Sequence, residues 1–297
     1  MSAQAVRYEV SVPEPNSRLF HVKAEFPAAG KDTLYVSLPA WSPGAYEIQN
    51  YARYVRHFGA KSAAGQPLFW DRFDKDTWRV TTGGGGGRSE RVTVEFDFLA
   101  DTIDLSHARI RRDFGVFLGT NLFLFEEGRL DRPAEVRFAL PAGWQVTTAL
   151  VGKGAGPYAA ADYHELADAM TFVGKYGLDS LQVDGRWIRI AVWPADAYTP
   201  AVQRNMRSSV ERMAKVQNQL MGGPPYDVYT VFFNVMREPI NFGGGLEHSA
   251  SQFDIMPQNA FADAAGNFGD FVNPLMAHEF FHLWNVKRIR PAELWPY

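Results

Sequence analysis

Strict alternation of apolar and polar residues recurs through the first half of the chain. It is clearest at Val92, Val94, Phe96 and Phe98, which share one face of an extended segment, with Thr93, Glu95 and Asp97 on the other. Comparable β-rich runs at 5–12, 17–26, 33–38, 77–82, 121–125, 135–140 and 145–150 are separated by Pro, Gly and Asn turns. Regular short strands of this kind predict an antiparallel, sandwich-like β domain. Residues 38–55 are dense in aromatics and turn formers and read as a loop closing one end of the sandwich. The run Gly83–Gly87 reads as a flexible hairpin connection between 77–82 and 90–99. It does not fit a phosphate loop, which needs G-x-x-x-x-G-K-[S/T], because Arg88 and Ser89 follow and no lysine is present.

Near residue 170 the period lengthens. Residues 162–170 suit a short helix capped by Asp162, and 187–193 alternate as a strand. Thr199 and Pro200 then open a long helical pattern running to Met221. Its apolar stripe is Val202, Met206, Val210, Met213, Val216 and Leu220, at spacings of three and four. A strand at 226–235 follows, and Gly243–Ala250 is a glycine-rich lead-in to an edge strand. Two domains are expected, 1–168 and 169–297, and no internal repeat is visible.

The chemistry concentrates in Met276-Ala277-His278-Glu279-Phe280-Phe281-His282-Leu283-Trp284. Residues four apart lie on one helix face, so His278 and His282 can direct both imidazoles at one point, which is half of a tetrahedral zinc site. Glu279 is placed to take a proton from a metal-bound water. Asn273 is the expected N-cap with Pro274 at the first helical position. Ala277, Phe280, Phe281 and Trp284 form a stripe that can bury the helix. Lys287 and Arg288 complement its dipole, and Pro291 marks its end. Helix, strand, strand and metal helix in that order suit the α+β first half of a thermolysin-like domain.

Composition narrows the field further. Net charge is −3 with no basic bias, which gives no reason to expect nucleic acid or an acidic membrane as partner. No apolar run is long enough to span a bilayer, and no secretory leader is visible, so a cytoplasmic location is expected unless a signal peptide has been removed. With no cysteine in the chain, disulfides, thiolate ligands and a cysteine nucleophile are excluded. A serine hydrolase is disfavoured by the lack of a G-x-S-x-G elbow.

The stretch His278–Pro291, His-Glu-Phe-Phe-His-Leu-Trp-Asn-Val-Lys-Arg-Ile-Arg-Pro, resembles the zinc helix of the glycyl aminopeptidase family, family sixty-one of the metallopeptidases. Trp41-Ser-Pro-Gly-Ala-Tyr-Glu-Ile, Asn50-Tyr-Ala-Arg and Gly244-Gly-Leu-Glu-His are similar to further segments of that family, so the resemblance runs from about residue 5 to the end. These are gluzincins with an N-terminal β domain, a thermolysin-like domain and usually a C-terminal PDZ domain. The resemblance implies a zinc aminopeptidase acting on peptides with a free N-terminus, with His278 and His282 as zinc ligands and Glu279 as general base. Gly244, Gly245 and Glu247 resemble an exopeptidase motif whose Glu binds the substrate's α-amine. His248 is expected to make a local hydrogen bond and not to bind metal.

One departure stands out. Gluzincins take their third zinc ligand from a Glu on a later helix, and after His282 only Glu293 offers a carboxylate, between Pro291 and Pro296. The metzincin pattern fails too, since Asn285 and Arg288 stand where it has Gly and His. The expectation is an N-terminal part of a peptidase that lacks its third ligand, has little activity by itself and leaves Phe280 and Trp284 uncovered. Such a chain would associate with the missing half or with a second copy. The alternative is a non-catalytic module that binds peptides or a partner.

Overall fold

The structure is a computed structural model describing residues 5–83, 90–238, 240, 243–261 and 268–289. Glu293, Pro291 and all but the first glycine of Gly83–Gly87 lie outside the described residues. The fold is mostly sheet, antiparallel and sandwich-like in its first part, with few helices.

Six strands form the first sheet, in the order Tyr158–Ala160, Ala134–Ala139, Val6–Ser11, Leu19–Pro27, Arg91–Leu99 and Val55–Ser62. Alternation decides which face is core. Phe20, Val22, Ala24 and Phe26 point inward and pair with Phe98, Phe96, Val94 and Val92, all essentially inaccessible. One pairing departs from antiparallel, since Val6–Ser11 runs parallel to Ala134–Ala139. A four-stranded sheet, Phe125–Glu126, Thr33–Ser37, Thr77–Thr81 and Trp70–Arg72, shares that core through Leu34, Val36, Trp78 and Val80.

A third sheet, Gln145–Thr148, Met170–Gly174, Phe114–Leu118 and Arg109–Arg111, is the hinge of the architecture. Every residue of its strands Phe114–Leu118 and Met170–Gly174 is buried. Phe117 and Val173 face the first core, while Phe114, Val116 and Phe172 face Trp193, Phe232, Phe253 and Ile255. Strands covered on both sides have no solvent face to make polar, which is why this pair does not alternate, and its one polar residue, Thr171, bonds the Thr148 hydroxyl at 2.8 Å.

The last sheet is mixed: Gly177–Val183, Arg186–Trp193, Val228–Val235, Ser251–Met256 and Gly244–Glu247. Its far face carries Ile188, Ile190, Val192, Tyr229, Val231 and Phe233, packed against the helices Pro200–Met221 and Asn273–Phe281. The longer helix is capped by the Thr199 side chain, which accepts from Val202 N, and ends at Gly222 in the left-handed region.

Five expectations need correction. Residues 119–122 form a helical turn and Phe125–Glu126 the strand, so 121–125 is not one extended run: buried Asn121 accepts from Leu118 N and donates to the Ser106 carbonyl. The strands flanking the glycine run, Thr77–Thr81 and Arg91–Leu99, belong to different sheets and do not form a hairpin. On the long helix Val216 and Leu220 are 60% and 73% exposed, because Asn218 turns inward to donate to Asp184 and Gln217 to the Ala277 carbonyl. Asn273 caps nothing: a π-helical turn, Phe268–Val272, runs directly into the helix. Phe280 and Trp284 are covered, by Tyr226, Tyr229 and each other. No helix among the described residues is long and apolar enough to cross a membrane.

Candidate active site

Helical period and packing together orient the histidines. Met276 and Phe280 on Asn273–Phe281, with Leu283 and Trp284 beyond it, turn into the core against the mixed sheet, where Phe280 meets Tyr229 edge-on at 4.9 Å. Burying Phe280 contributes about 1.5–3 kcal/mol. The opposite side presents His278 and His282, with their Nε2 atoms 3.1 Å apart. Two nitrogens bound to one tetrahedral zinc at its usual bond length sit about 3.3 Å from each other. His282 Nδ1 lies 2.6 Å from the Asn285 carbonyl, so its proton is held there and Nε2 is left as a free lone pair. Among the described residues, His278, Glu279 and His282 form the group that could hold a metal ion, with ligand atoms all within 4.8 Å. Two convergent imidazole nitrogens beside a buried carboxylate fit zinc.

Glu279 is only 4% exposed and lies against the edge strand Gly244–Glu247. A Cβ on Gly245 would fall 2.5 Å from its Cδ and Oε1, so glycine is the residue that lets strand and carboxylate approach. Burial, and then the charge of Glu247, push the Glu279 carboxyl up to about 7. A divalent cation at the imidazoles would oppose both effects.

Glu247, 6% exposed, ends the edge strand opposite Gln252. Its other flank is covered from the β sandwich. Gly44, at φ +102, packs so closely that a Cβ there would lie 2.8 Å from Leu246 Cδ1 and 3.2 Å from the Glu247 carboxylate. Ser42, two residues earlier, fixes this loop through bonds of 2.6 Å to the Tyr51 and Thr120 hydroxyls. The 41–50 loop thus borders the site. Leu105, from another sandwich loop, stands 3.4 Å from where a Gly244 Cβ would be.

His248 is buried, and its Nδ1 is 3.0 Å from Asp168, away from the imidazole pair. Sequence reasoning missed two buried carboxylates, Asp254 and Asp168, and Lys287 takes a different role from the one expected of it. Asp254 is inaccessible, pairs with Gly245 in register and accepts from Gln252 Nε2 at 2.8 Å. Burial, then the Glu279 charge, hold its carboxyl well above the ordinary range. Asp168 and Lys287 meet at 3.1 Å, both buried. The signal for Asp254 is in the pattern: Gln252 and Asp254 alternate on one face of the strand Ser251–Met256, opposite Phe253 and Ile255.

Family profiles match the chain twice, as Peptidase M61 N-terminal domain over residues 7–175 and as M61 glycyl aminopeptidase over residues 272–297. No curated protein matches it significantly. Among solved structures, an aminopeptidase N family protein from Idiomarina loihiensis superposes with TM-score 0.86 at 24% identity, over 98% of this chain and 50% of that one. An M1 zinc metallopeptidase from Deinococcus radiodurans gives TM-score 0.55 at 14% identity, over 95% of this chain and 63% of that one. Native yeast LTA4 hydrolase gives 0.55 at 12% identity, over 94% and 43%. The chain therefore spans about half the length of the structures it matches. These structural likenesses speak for the fold. Because the first profile takes in more than half of its residues, the chain belongs to the M61 glycyl aminopeptidase family.

Proposed function

We propose that this chain carries the metal-binding and amine-binding parts of a zinc aminopeptidase that removes N-terminal residues from peptides. The observation that carries the reading is the convergence of the His278 and His282 Nε2 atoms beside buried Glu279, with Glu247 near enough to raise its pKa. When bound, zinc would polarise the scissile carbonyl and acidify a water. His278 and His282 would hold it, with a third ligand from outside the described residues. Glu279 takes the proton of the attacking water and passes it to the leaving amine. Glu247 accepts the substrate's α-ammonium, which counts cleavage from the N-terminus. The free side of Gly244 and Gly245 on the edge strand offers backbone groups to an extended peptide.

The test is to load the full-length protein with zinc and compare glycine and alanine p-nitroanilides with their N-acetylated forms. Zinc-dependent hydrolysis of the free-amino substrates, with little of the blocked ones, is expected. Equal turnover of both would remove the exopeptidase reading. Failure to hold zinc at all would favour a non-catalytic binding module.

A further inference from the structure

A buried carboxylate outside the site touches both of its halves. Asp168 follows the short helix Tyr163–Ala167 of the β-rich part and is 8% exposed. Its Oδ2 accepts from the Ser249 backbone N–H at 2.7 Å and from the Ser249 hydroxyl at 2.5 Å. Its Oδ1 lies 3.0 Å from His248 Nδ1 and 3.1 Å from Lys287 Nζ. His248 and Ser249 form the turn immediately after Glu247, and His248 N also closes that turn onto the Ser251 carbonyl at 2.8 Å. Lys287 is tied to the other half, since its backbone N–H donates to the His282 carbonyl at 3.0 Å. One side chain therefore reaches the residue next to the amine-binding Glu and the residue bonded to a metal-binding His.

The electrostatics suit a fixed link. Burial alone would raise the Asp168 carboxyl, but the Lys287 ammonium, His248 and Ser249 outweigh it and hold the group far below the usual carboxylate range. An ionised carboxylate with four donors, shielded from water, has one low-energy arrangement. Its partners come from segments that make no other ion pair with each other among the described residues.

We propose that Asp168 is the positioning residue that sets the distance between Glu247 and the His278–His282 pair. The β-rich part is then a component of the active site's geometry. This inference rests on the aminopeptidase reading, in which a substrate must span from Glu247 to the metal. Misplacing one end of such a substrate by about 1 Å costs rate on the order of 10²-fold and weakens any ligand held at both ends, whereas a ligand held only at the metal loses nothing.

The experiment uses zinc-loaded full-length protein and two probes. Alanine hydroxamate carries an amine and a metal-binding group and engages both ends, and acetohydroxamate engages the metal alone. In wild type the amine-bearing probe is expected to bind more tightly. In Asp168→Asn, the preference should fall by roughly tenfold or more, with acetohydroxamate affinity within about twofold and zinc stoichiometry unchanged. Ser249→Ala and Lys287→Met, which loosen one side each, should lose part of the preference and serve if Asp168→Asn does not fold. A preference kept at the wild-type level in the zinc-loaded variants would overturn the proposal, as would parallel loss of both probes, which marks a purely structural residue. A wild-type preference near one would sink the amine-binding reading itself and this inference with it.

Discussion

The metal helix and the edge strand face each other across Glu279, yet they are built in different ways. On the helix, His278, Glu279 and His282 are placed by one helical turn, and their main tertiary support is an apolar back, with Phe280 against Tyr229. The strand has no such local logic. Glu247 is placed by pairing with Gln252, by the approach of Gly44 from the sandwich and by the turn that Asp168 holds. Geometry on the metal side is thus a property of a short segment, while geometry on the amine side is distributed over the whole chain. Distant substitutions should reach substrate binding through the strand before they disturb the metal.

The largest effect that tests this contrast lies on the helix itself. Glu279→Gln should lower turnover about 10²–10⁴-fold, the range for losing a general base, while zinc content by elemental analysis stays at the wild-type level. Loss of zinc with the fold intact would make Glu279 a ligand and erase the division of labour within the motif. Next in size is Glu247→Ala, expected to weaken free-amino substrates by roughly 2–4 kcal/mol. N-acetylated substrates should change little. A matching loss for blocked and free substrates would mean that the strand does not read the amine.

The same contrast explains what the sequence made legible. The convergence of the two imidazoles and the capped long helix follow from periods and spacings within a few residues, and both are present in the fold. Errors arose where long-range contacts overrule local pattern. Asn121 is drawn into a helical turn by buried bonds to Leu118 and Ser106, and Val216 is left outside because Asn218 has a partner at Asp184. The alternating strands beside the glycine run were recognisable, but their assignment to different sheets was not, because alternation says which face is buried and nothing about the neighbour. Expecting Phe280 and Trp284 to lie bare failed for a related reason: Tyr226 and Tyr229, ahead of them in the chain, cover Phe280, and Trp284 packs against Phe280. Glu247 was nameable only through a resemblance, and Asp168 offered no sequence signal.

Gly245→Ala probes the seam between the two halves. A methyl group there would meet the Glu279 Cδ and Oε1 at 2.5 Å, so strand or carboxylate must shift. Overpacking of this kind costs about 1–3 kcal/mol, readable as a lower melting temperature. Because the displaced group is the proposed base, kcat should fall while zinc content holds. Unchanged kcat with lower stability would show that Glu279 can move aside and still work.

Gly44→Ala should give the smallest change and the cleanest separation of the halves. The residue lies at φ +102, a region that L side chains rarely adopt, and strain there is on the order of 1–2 kcal/mol. Its new Cβ would press on Leu246 Cδ1 at 2.8 Å, a side-chain end that can yield, and on the Glu247 carboxylate at 3.2 Å. No atom in this contact belongs to the helix. The variant should therefore raise KM for free-amino substrates severalfold and leave kcat and zinc content near wild type, with blocked substrates unaffected. Steady-state kinetics on glycine and alanine p-nitroanilides, with a parallel melt to measure the strain, decides it. If kcat falls with KM unchanged, the sandwich loop acts on the metal side, and the contrast between a local metal half and a distributed amine half does not hold.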